Sequence, residues 1–402
     1  MFKRFVTLFL ILTSAQGYGQ KALQLTISNN GDARKSSIIS FPYKQSAGKA
    51  QLQLVDRVSK AIYPVQVLPG GEAVSIIDID AGEKKVLSLA KAKKARATIT
   101  AIKSQTDYSV MLAGKQVLGF QTGQAPLPDG VAPVYRRGGY VHPVLSPGGL
   151  QITDDYPSDH KHHHGVWAAW TKTSFRGNKP DFWNVDDNTG AVLFEGIDHI
   201  QSGPVLALLS AKNSYIDKTS IPHTKVLDED FTVRVFNLTG SDKPYYLFDV
   251  ELRQECATSD PLKLLHHIYG GIAFRGNGEW NGTGNANFLT SVGKDRETGN
   301  ATAADWIRVS GNVAGQETGI TILSHPENFR APQPLRIHPK EPYISFAPSQ
   351  AGEFVIEPGK PYIARYRFIV YDGDADIRFI DRMWRDYSKP LEVKTTMGED
   401  QD

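Results

Sequence analysis

The sequence consists largely of short runs in which apolar or β-branched residues alternate with polar ones. Gly, Pro, Asn or Asp bound most of these runs, and those residues favour turns. The chain contains 36 Gly and 23 Pro, which fits a fold with many turns. We therefore predict an all-β fold with strands near 23–27, 51–55, 73–79, 97–102, 108–112, 231–236, 245–252, 319–323 and 362–371.

One segment near the C-terminus has the period of a helix instead. Its apolar residues mostly recur at a spacing of about 3.6 residues, and Lys389-Pro390 ends the pattern. The pattern predicts one C-terminal helix over 374–387, with the apolar residues Ile377, Phe379, Ile380, Met383, Trp384 and Tyr387.

The composition changes near residue 96. Residues 20–96 contain no histidine and no tryptophan, whereas all the histidines and tryptophans follow. We predict a small Ig-like β-sandwich over 20–96 and a large antiparallel β-sandwich over 97–390. Residues 391–402 are polar and are predicted to form a tail.

The N-terminus has the layout of a secretory signal peptide. Lys3 and Arg4 precede an apolar run at 5–12, which is too short to span a bilayer, and small or polar residues extend to Gly19. Removal of residues 1–19 would leave equal numbers of basic and acidic residues. We therefore predict a periplasmic or secreted protein that neither binds nucleic acid nor inserts into a membrane.

The densest chemical feature is a group of histidines. Five of the eleven, His142, His160, His162, His163 and His164, lie within one short stretch. If 160–167 is a strand, alternation puts His160, His162 and His164 on one face. Imidazoles transfer protons near neutral pH and bind metals, so His160 and His162 are candidate ligands of one divalent metal ion. The alternative is that these are exposed or backbone-bonded histidines without a site.

Two later groups extend the candidate site. His267 precedes Gly270-Gly271, where a ligand can approach the backbone, unless the segment is a bulge with a surface imidazole. The stretch from His325 to Arg330, with Arg336 nearby, would suit a carboxylate or sugar hydroxyls, unless it forms turns with surface salt links. We expect one pocket to contain His142, His160, His163, His267 and His325.

Two tryptophans flank the first histidine group. Trp167 and Trp183 would stack on a sugar ring, although tryptophan in a strand is more often core. Cys256 is the single cysteine, so no intrachain disulfide can form, and we interpret it as a small buried residue. No motif for a nucleophile elbow, a zinc-protease helix or a phosphate-binding loop is present.

These clusters, taken in order over about 131–390, resemble a secreted bacterial family labelled PmoA-like or methane oxygenase PmoA. His164 departs from the pattern, which has arginine there. The matching stretches are His142-Pro143, Ser146-Pro147, 157–165, 181–183, 269–271 with Arg275, 324–330, 336–339 and 366–368.

The resemblance implies an Ig-like domain followed by a mutarotase-like supersandwich that acts in sugar degradation. We expect a periplasmic carbohydrate-active enzyme, a hydrolase or lyase, that cleaves or isomerises a glycoside or oligosaccharide. The alternatives are a metal-dependent oxygenase, as the family label says, and a non-catalytic sugar-binding protein. The expected catalytic residues are His160, His163, His142 and His267, with Asp155, Asp159 and Glu327 as candidate carboxylates. The expected substrate-binding residues are Trp167, Trp183, Arg275, His325, Asn328 and Arg330.

Overall fold

The computed structural model of the protein describes residues 23–44, 51–92, 98–238 and 244–397. The predicted signal peptide over 1–19 lies outside these residues. Within them the protein is mostly β, with four antiparallel sheets and one α-helix, which confirms the predicted fold class. Each of the nine predicted runs overlaps a strand. No helix in the described part of the chain is both long and apolar enough to cross a membrane.

The N-terminal sheet has seven strands in the order β2-β5-β4-β3-β6-β1-β26. It curls so far that its edge strands β2 and β26 lie against each other. Its strands are β1 (Leu23–Ser28), β2 (Arg34–Pro42), β3 (Leu52–Asp56), β4 (Ile62–Val67), β5 (Glu72–Ile79), β6 (Lys84–Lys91) and β26 (Glu392–Met397).

This single curled sheet replaces the Ig-like sandwich of two sheets that the sequence predicted. The alternating apolar residues, such as Leu25, Ile39, Leu54 and Ile77, point into one enclosed core. Alternation shows which side chains face inward. It does not show whether the opposite wall is a second sheet or the same sheet curled round, because both arrangements bury the same residues.

The last strand, β26, lies in the segment that the sequence assigned to a polar tail. Glu392–Met397 pairs antiparallel with β1, so that Met397 is opposite Leu23 and Glu392 is opposite Ser28. Most of its residues are exposed. An edge strand with polar side chains has the same composition as a tail, so composition alone did not reveal the pairing.

The first large sheet has eight strands in the order β22-β23-β18-β11-β10-β9-β8-β7. Most of the histidines that the sequence assigned to the site lie on this sheet or in the loops beside it. Its strands are β7 (Ile99–Lys103), β8 (Tyr108–Leu112), β9 (Lys115–Gln121), β10 (Tyr140–Val144), β11 (Val166–Ala169), β18 (Gly271–Arg275), β22 (Leu335–Ile337) and β23 (Tyr343–Phe346).

The second large sheet also has eight strands, in the order β13-β14-β15-β16-β25-β21-β20-β19. Its strands are β13 (Gly190–Gln201), β14 (Leu206–Asp217), β15 (Thr224–Phe236), β16 (Tyr245–Cys256), β19 (Ala286–Thr290), β20 (Trp306–Val313), β21 (Gln316–Ser324) and β25 (Tyr362–Asp372). A three-stranded sheet contains β12 (Thr173–Ser174), β17 (Leu262–Leu264) and β24 (Phe354–Ile356).

The two large sheets enclose the main hydrophobic core between their inner faces. In β11 the inward residues Val166 and Ala168 belong to this core, whereas Trp167 and Ala169 belong to a separate apolar cluster. Successive strand residues point to opposite faces. The separate cluster therefore lies on the outer face of the first large sheet.

The outer face of the second large sheet is covered by the helix α1 (Ile377–Ser388) and by part of the N-terminal sheet. The helix confirms the predicted segment. Asp376 begins it, because its side chain accepts a hydrogen bond from the Arg378 backbone N–H. Ile380, Met383 and Tyr387 are the helix residues that become buried.

Candidate acid–base site

An aromatic floor covers part of the outer face of the first large sheet. Trp167 on β11 lies opposite Ala273 on β18, and Tyr343 on β23 lies opposite Arg275 on β18. Residues opposite each other in antiparallel strands share a face. Arg275 therefore projects from the same face as Trp167 and Tyr343, and Trp183 packs on these rings from a loop.

The histidine segment that leads into β11 is a loop of successive turns. The His160 backbone N–H donates to the Pro157 carbonyl, and the His163 N–H donates to the His160 carbonyl at 2.8 Å. The conditional strand over 160–167 is therefore wrong before Val166. These local turns bring His160 and His163 to the same side, where an extended strand would have separated them.

His163 lies in a stack of rings above the floor. Its ring is 4.6 Å from that of His160, with 12° between the planes, and 4.6 Å from that of Tyr343, with 27° between the planes. Trp167 and Trp183 are buried beneath it. The tryptophans thus support His163 from below, and their faces are not open for the sugar stacking that the sequence suggested.

The stacked histidines favour their neutral forms. Burial lowers the pKa of His163 well below its usual range, and the His162 and His160 rings lower it further. Burial also lowers the pKa of His162 to about 4. Both imidazoles are therefore uncharged at neutral pH.

Arg275 connects the histidine loop to the segment after β22. Its side chain is fully buried, and its Nη2 lies 3.2 Å from Asp159 Oδ1, 3.1 Å from Glu341 Oε2 and 3.0 Å from Asn281 Oδ1. Two carboxylates from distant parts of the chain thus meet at one guanidinium nitrogen.

The two carboxylates have pKa values displaced in opposite directions. Burial alone would raise the pKa of Asp159, but the Arg275 charge and the neighbouring Glu341 and His160 side chains lower it to about 2. Burial raises the pKa of Glu341, and the neighbouring Asp159 raises it further. Of the two groups, Glu341 therefore takes up a proton first as the pH falls.

These groups reach the protein surface. The side chain of Asp159 is 36% exposed, that of His160 is 32% exposed and that of Glu341 is 17% exposed. His160 Nδ1 lies 3.1 Å from Asp159 Oδ2, a charge contact without aligned hydrogen-bond geometry. A ligand can contact all three groups, while Arg275 and His163 lie behind them.

Sequence patterns had indicated Asp159 and His160 but had missed Glu341 and the role of His338. The His338 ring Nδ1 accepts a hydrogen bond from the Glu341 backbone N–H at 2.9 Å, which orients the turn that carries Glu341. Burial, followed by the charge of Arg336, lowers the pKa of His338 to about 4. The His338-Pro339 pair was a visible signal for this turn, whereas an isolated glutamate gave none.

A second polar group lies beside the site. His164 Nδ1 is 2.7 Å from Asp155 Oδ1, and Tyr140 donates its hydroxyl to Asp155 Oδ2 at 2.8 Å. Burial raises the pKa of Asp155 to about 6. His142 contacts Thr153 Oγ1 at 3.0 Å and, like His164, has a pKa lowered by burial. Asp155 thus contacts His164 and Tyr140, whereas Asp159 lies with the exposed His160 and Glu341.

His267 lies at the margin of the floor. Its ring packs edge-on against Tyr269 at 4.4 Å, and Tyr269 packs against Trp183 at 5.3 Å. Burial lowers the pKa of His267. The residue therefore contacts the aromatic floor and, among the described residues, makes no hydrogen bond, ion pair or ring contact with Asp159, His160 or Glu341.

The third predicted group is on the other side of the molecule. His325 packs edge-on against Tyr387 of α1 at 5.0 Å, at the outer face of the second large sheet. The expectation that His325 shares a pocket with His160 is therefore wrong. The sequence could not show this, because β21 and the histidine loop belong to different sheets.

The neighbours of His325 have structural contacts. Asn328 donates to Ser324 Oγ and to the Arg365 carbonyl, and its Oδ1 accepts from the Arg365 N–H. Arg330 donates to the carbonyls of Pro348, Gly352 and Glu353. Glu327 forms an ion pair with Arg365 at 2.9 Å. The sequence had assigned these residues to substrate binding or acid catalysis. In the structure they stabilise turns and lie apart from the acid–base group.

The candidate metal ligands His160 and His162 have rings 5.8 Å apart, nearly perpendicular to each other. Among the described residues, no group of three or more His, Cys, Asp or Glu side chains is arranged to hold a metal ion. The His160–His162 pair therefore has no third such side chain arranged with it in this part of the chain.

The fold and the site define a two-sheet β-sandwich protein with a candidate acid–base centre on one outer face. Within that class, the chain belongs to the family of unknown function DUF6807, whose match covers residues 107–385. No protein with curated annotation matches the chain.

Solved structures show distant similarity. A glycosyl hydrolase family 38 protein from Enterococcus faecalis is 10% identical, with a TM-score of 0.45, and the match covers 94% of this chain and 48% of that one. An alpha-mannosidase from Enterococcus faecalis V583 is 9% identical, with a TM-score of 0.49 and coverage of 94% and 46%. A heparan sulfate lyase from Pedobacter heparinus is 12% identical, with a TM-score of 0.34 and coverage of 71% and 38%. The chain thus spans less than half the length of these proteins.

Proposed function

We propose that the protein is an exported carbohydrate-active enzyme, of the PmoA-like kind that its motifs resemble, which cleaves or isomerises a glycoside by acid–base chemistry. The observation that supports this proposal is the pairing of Asp159 and Glu341 on one nitrogen of Arg275. Environments that displace two pKa values in opposite directions are the usual basis for an acid and a base in one site.

Each residue has a role in this proposal. Glu341, whose pKa is raised, holds the proton and donates it to an oxygen of the substrate. Asp159, whose pKa is about 2, is ionised and accepts a proton. His160 lies beside Asp159 and contacts the substrate, while the buried His163 supports its ring. Arg275 is the positioning residue that keeps the two carboxylates together.

The spacing of the carboxylates narrows the reaction type. Inverting glycosidases separate their two carboxyl groups by about 6.5–9.5 Å to admit a water molecule. Asp159 Oδ1 and Glu341 Oε2 lie 3.2 and 3.1 Å from the same nitrogen, which keeps these two oxygens closer than that gap. The arrangement therefore favours a lyase or an isomerase over an inverting hydrolase. In a lyase a proton leaves a substrate carbon, the C–O bond breaks as a C=C bond forms, and a proton goes to the leaving oxygen, whereas an isomerase returns a proton to the substrate.

The two other functional classes have less support from the site. An oxygenase would need a metal centre, and the His160–His162 pair has no third protein ligand arranged with it among the described residues. A sugar-binding protein would not need two carboxylates with opposed pKa shifts, whereas such shifts cluster at catalytic sites.

Turnover of a panel of plant and algal oligosaccharides by the full chain tests the proposal. Asp159→Asn, Glu341→Gln and His160→Gln should each slow turnover by roughly a hundredfold, the usual size of an acid–base contribution. Glu341→Gln should also remove the alkaline limb of the pH–rate profile, which a purely structural change would not do. His199→Gln, on the exposed edge of β13, is the matched control and should leave the rate unchanged.

Three outcomes would contradict the proposal. Turnover that survives in both carboxylate variants would remove Asp159 and Glu341 from the chemistry. Tight sugar binding with no turnover across the panel would indicate a binding protein. Oxygen consumption coupled to substrate loss would indicate an oxygenase.

A further inference from the structure

A cleft of about 530 Å³ opens next to the candidate acid–base site. It lies between the segment around β19 and the end of β22. Its polar lining residues include Thr283, Asn287, Arg296, Glu297, Asn300 and Arg336. A volume of this size is within the range of small-molecule sites and holds one or two sugar rings.

The cleft and the acid–base site share one short segment of the chain. Arg336, Ile337 and Pro339 line the cleft, whereas His338 and Glu341 in the same segment belong to the acid–base group. Arg336 lies opposite Ser345, which lies opposite Ala273, so Arg336 is on the outer face of the first large sheet.

Electrostatic contacts agree with this placement. Burial lowers the pKa of Arg296, and the Glu341 carboxylate opposes that shift, so the two charges are close to each other. The Arg336 charge also acts on His338. Both arginines are therefore near the acid–base group.

The two guanidinium groups of the cleft are held in place, but only some of their N–H donors form hydrogen bonds. Arg296 packs over the Phe288 ring at 4.2 Å and donates from Nη1 to the Gly282 carbonyl at 2.6 Å. Arg336 donates from Nη1 to Asn300 Oδ1 at 3.2 Å. Within the described residues, Arg296 Nε and Nη2 and Arg336 Nε have no hydrogen-bond partner.

Asp295 of the cleft directs a carboxylate oxygen to its own turn. Asp295 Oδ1 accepts hydrogen bonds from the backbone N–H groups of Glu297 and Thr298 and from the Thr298 hydroxyl. Asp295 is thus occupied by its own turn. In the described part of the chain neither Arg296 nor Arg336 forms an ion pair with a carboxylate.

We propose that this cleft is a subsite for a sugar residue that carries an oxyanion, either a carboxylate or a sulfate, bound by Arg296 and Arg336. A guanidinium presents a planar fork of donors that matches an oxyanion, and each charge-assisted hydrogen bond is stronger than one to a neutral hydroxyl. The subsite extends the acid–base site and rests on the proposed glycoside function. The substrate is accordingly an acidic saccharide.

Binding of matched ligands to the full chain tests the subsite without any need for turnover. The probes are a glucuronate-containing disaccharide, its methyl ester, a neutral disaccharide and the sulfate monoester of that disaccharide. The acid should bind roughly ten- to a hundredfold more tightly than the ester if the charge is recognised. The sulfate monoester, compared with the neutral disaccharide, shows whether the subsite prefers a sulfate to a carboxylate.

Variants then assign the preference to the cleft. Arg296→Gln and Arg336→Gln should each reduce the preference for the acidic ligand by about tenfold, with little change for the neutral one. Arg296→Lys, which keeps the charge without the fork, should give an intermediate result. Arg378→Gln, on the exposed side of α1, is the control and should keep the preference. The melting temperature of each variant shows whether it is folded.

Wild-type protein provides a second measurement should a variant fail to fold. Added salt should weaken binding of the acidic ligand and leave binding of the ester nearly unchanged. The subsite would be overturned if the glucuronate bound no better than its methyl ester and the sulfated disaccharide bound no better than the neutral one. A preference that survives both glutamine variants would also overturn it. A protein that shows no turnover but still prefers the charged ligands would contradict the proposed chemistry of Asp159 and Glu341, and the subsite would stand.

Discussion

The outer faces of the two large sheets carry similar residues but use them differently. On the second large sheet, Arg367 pairs with Asp249 through two hydrogen bonds of 2.7 and 2.8 Å, and its guanidinium packs over Tyr387 at 4.4 Å. On the first large sheet, Arg275 meets Asp159 and Glu341 through Nη2 alone.

The difference lies in which donors remain free. Arg367 presents the edge formed by Nε and Nη2 to one carboxylate in a bidentate pair, which is the geometry of a stable structural link. Arg275 Nε and Nη1, His163 Nδ1 and Trp167 Nε1 are buried without a hydrogen-bond partner among the described residues. Native proteins satisfy nearly all buried polar groups, so a cluster of unsatisfied ones indicates a place for a ligand or water.

The comparison predicts that the free energy of unfolding depends most on the Arg367–Asp249 pair of the second large sheet. Arg367→Met leaves the largely buried Asp249 charge without its partner, so the free energy of unfolding should fall by about 3 kcal/mol. Urea denaturation measures this loss. Binding at the acid–base face should persist in the folded fraction, and a change below about 1 kcal/mol would show that the pair contributes little.

The histidine face should instead govern how stability depends on pH. The folded pKa of His162 is about 4, below its usual value, so the folded state favours the neutral ring. This stability is present above about pH 6.5 and is lost as the pH falls towards 4. Because His162 is partly exposed, we expect a loss of about 2 kcal/mol.

Denaturation at a series of pH values checks this expectation. His162→Asn should flatten the dependence between about pH 6.5 and 4, whereas His199→Gln, on an exposed strand edge, should not. The same slope in wild type and His162→Asn would mean that other groups titrate in this range.

The smallest effect should come from His325, which the sequence had placed in the site. Its Nδ1 accepts a hydrogen bond from the Glu327 N–H at 3.2 Å, and Glu327 is exposed. His325→Gln should change the free energy of unfolding by about 0.5 kcal/mol and leave saccharide turnover unaltered. A turnover defect as large as that of His160→Gln would reverse the contrast between the two faces.

Several site residues could be predicted and others could not, for reasons of sequence distance. The histidine loop is local, so its density of imidazoles identified His160, His162 and His163 directly. Glu341 comes within 3.1 Å of Arg275 from 66 positions away, and no local pattern marks it. The His325 group also stood out locally, with polar and charged side chains over 325–330, yet it lies on the other sheet.

Secondary structure and its periodicity were determined by the sequence itself. Alternating side chains specify strands, the 3.6-residue period specifies α1, and His-Pro and Gly-Gly pairs mark turns, because each depends on neighbours in the chain. Tertiary structure alone decided that the N-terminal strands form one curled sheet and that Glu392–Met397 joins it. It also decided which carboxylates meet at Arg275, because such pairings depend on which strand packs beside which, and alternation within a strand carries no information about its partner.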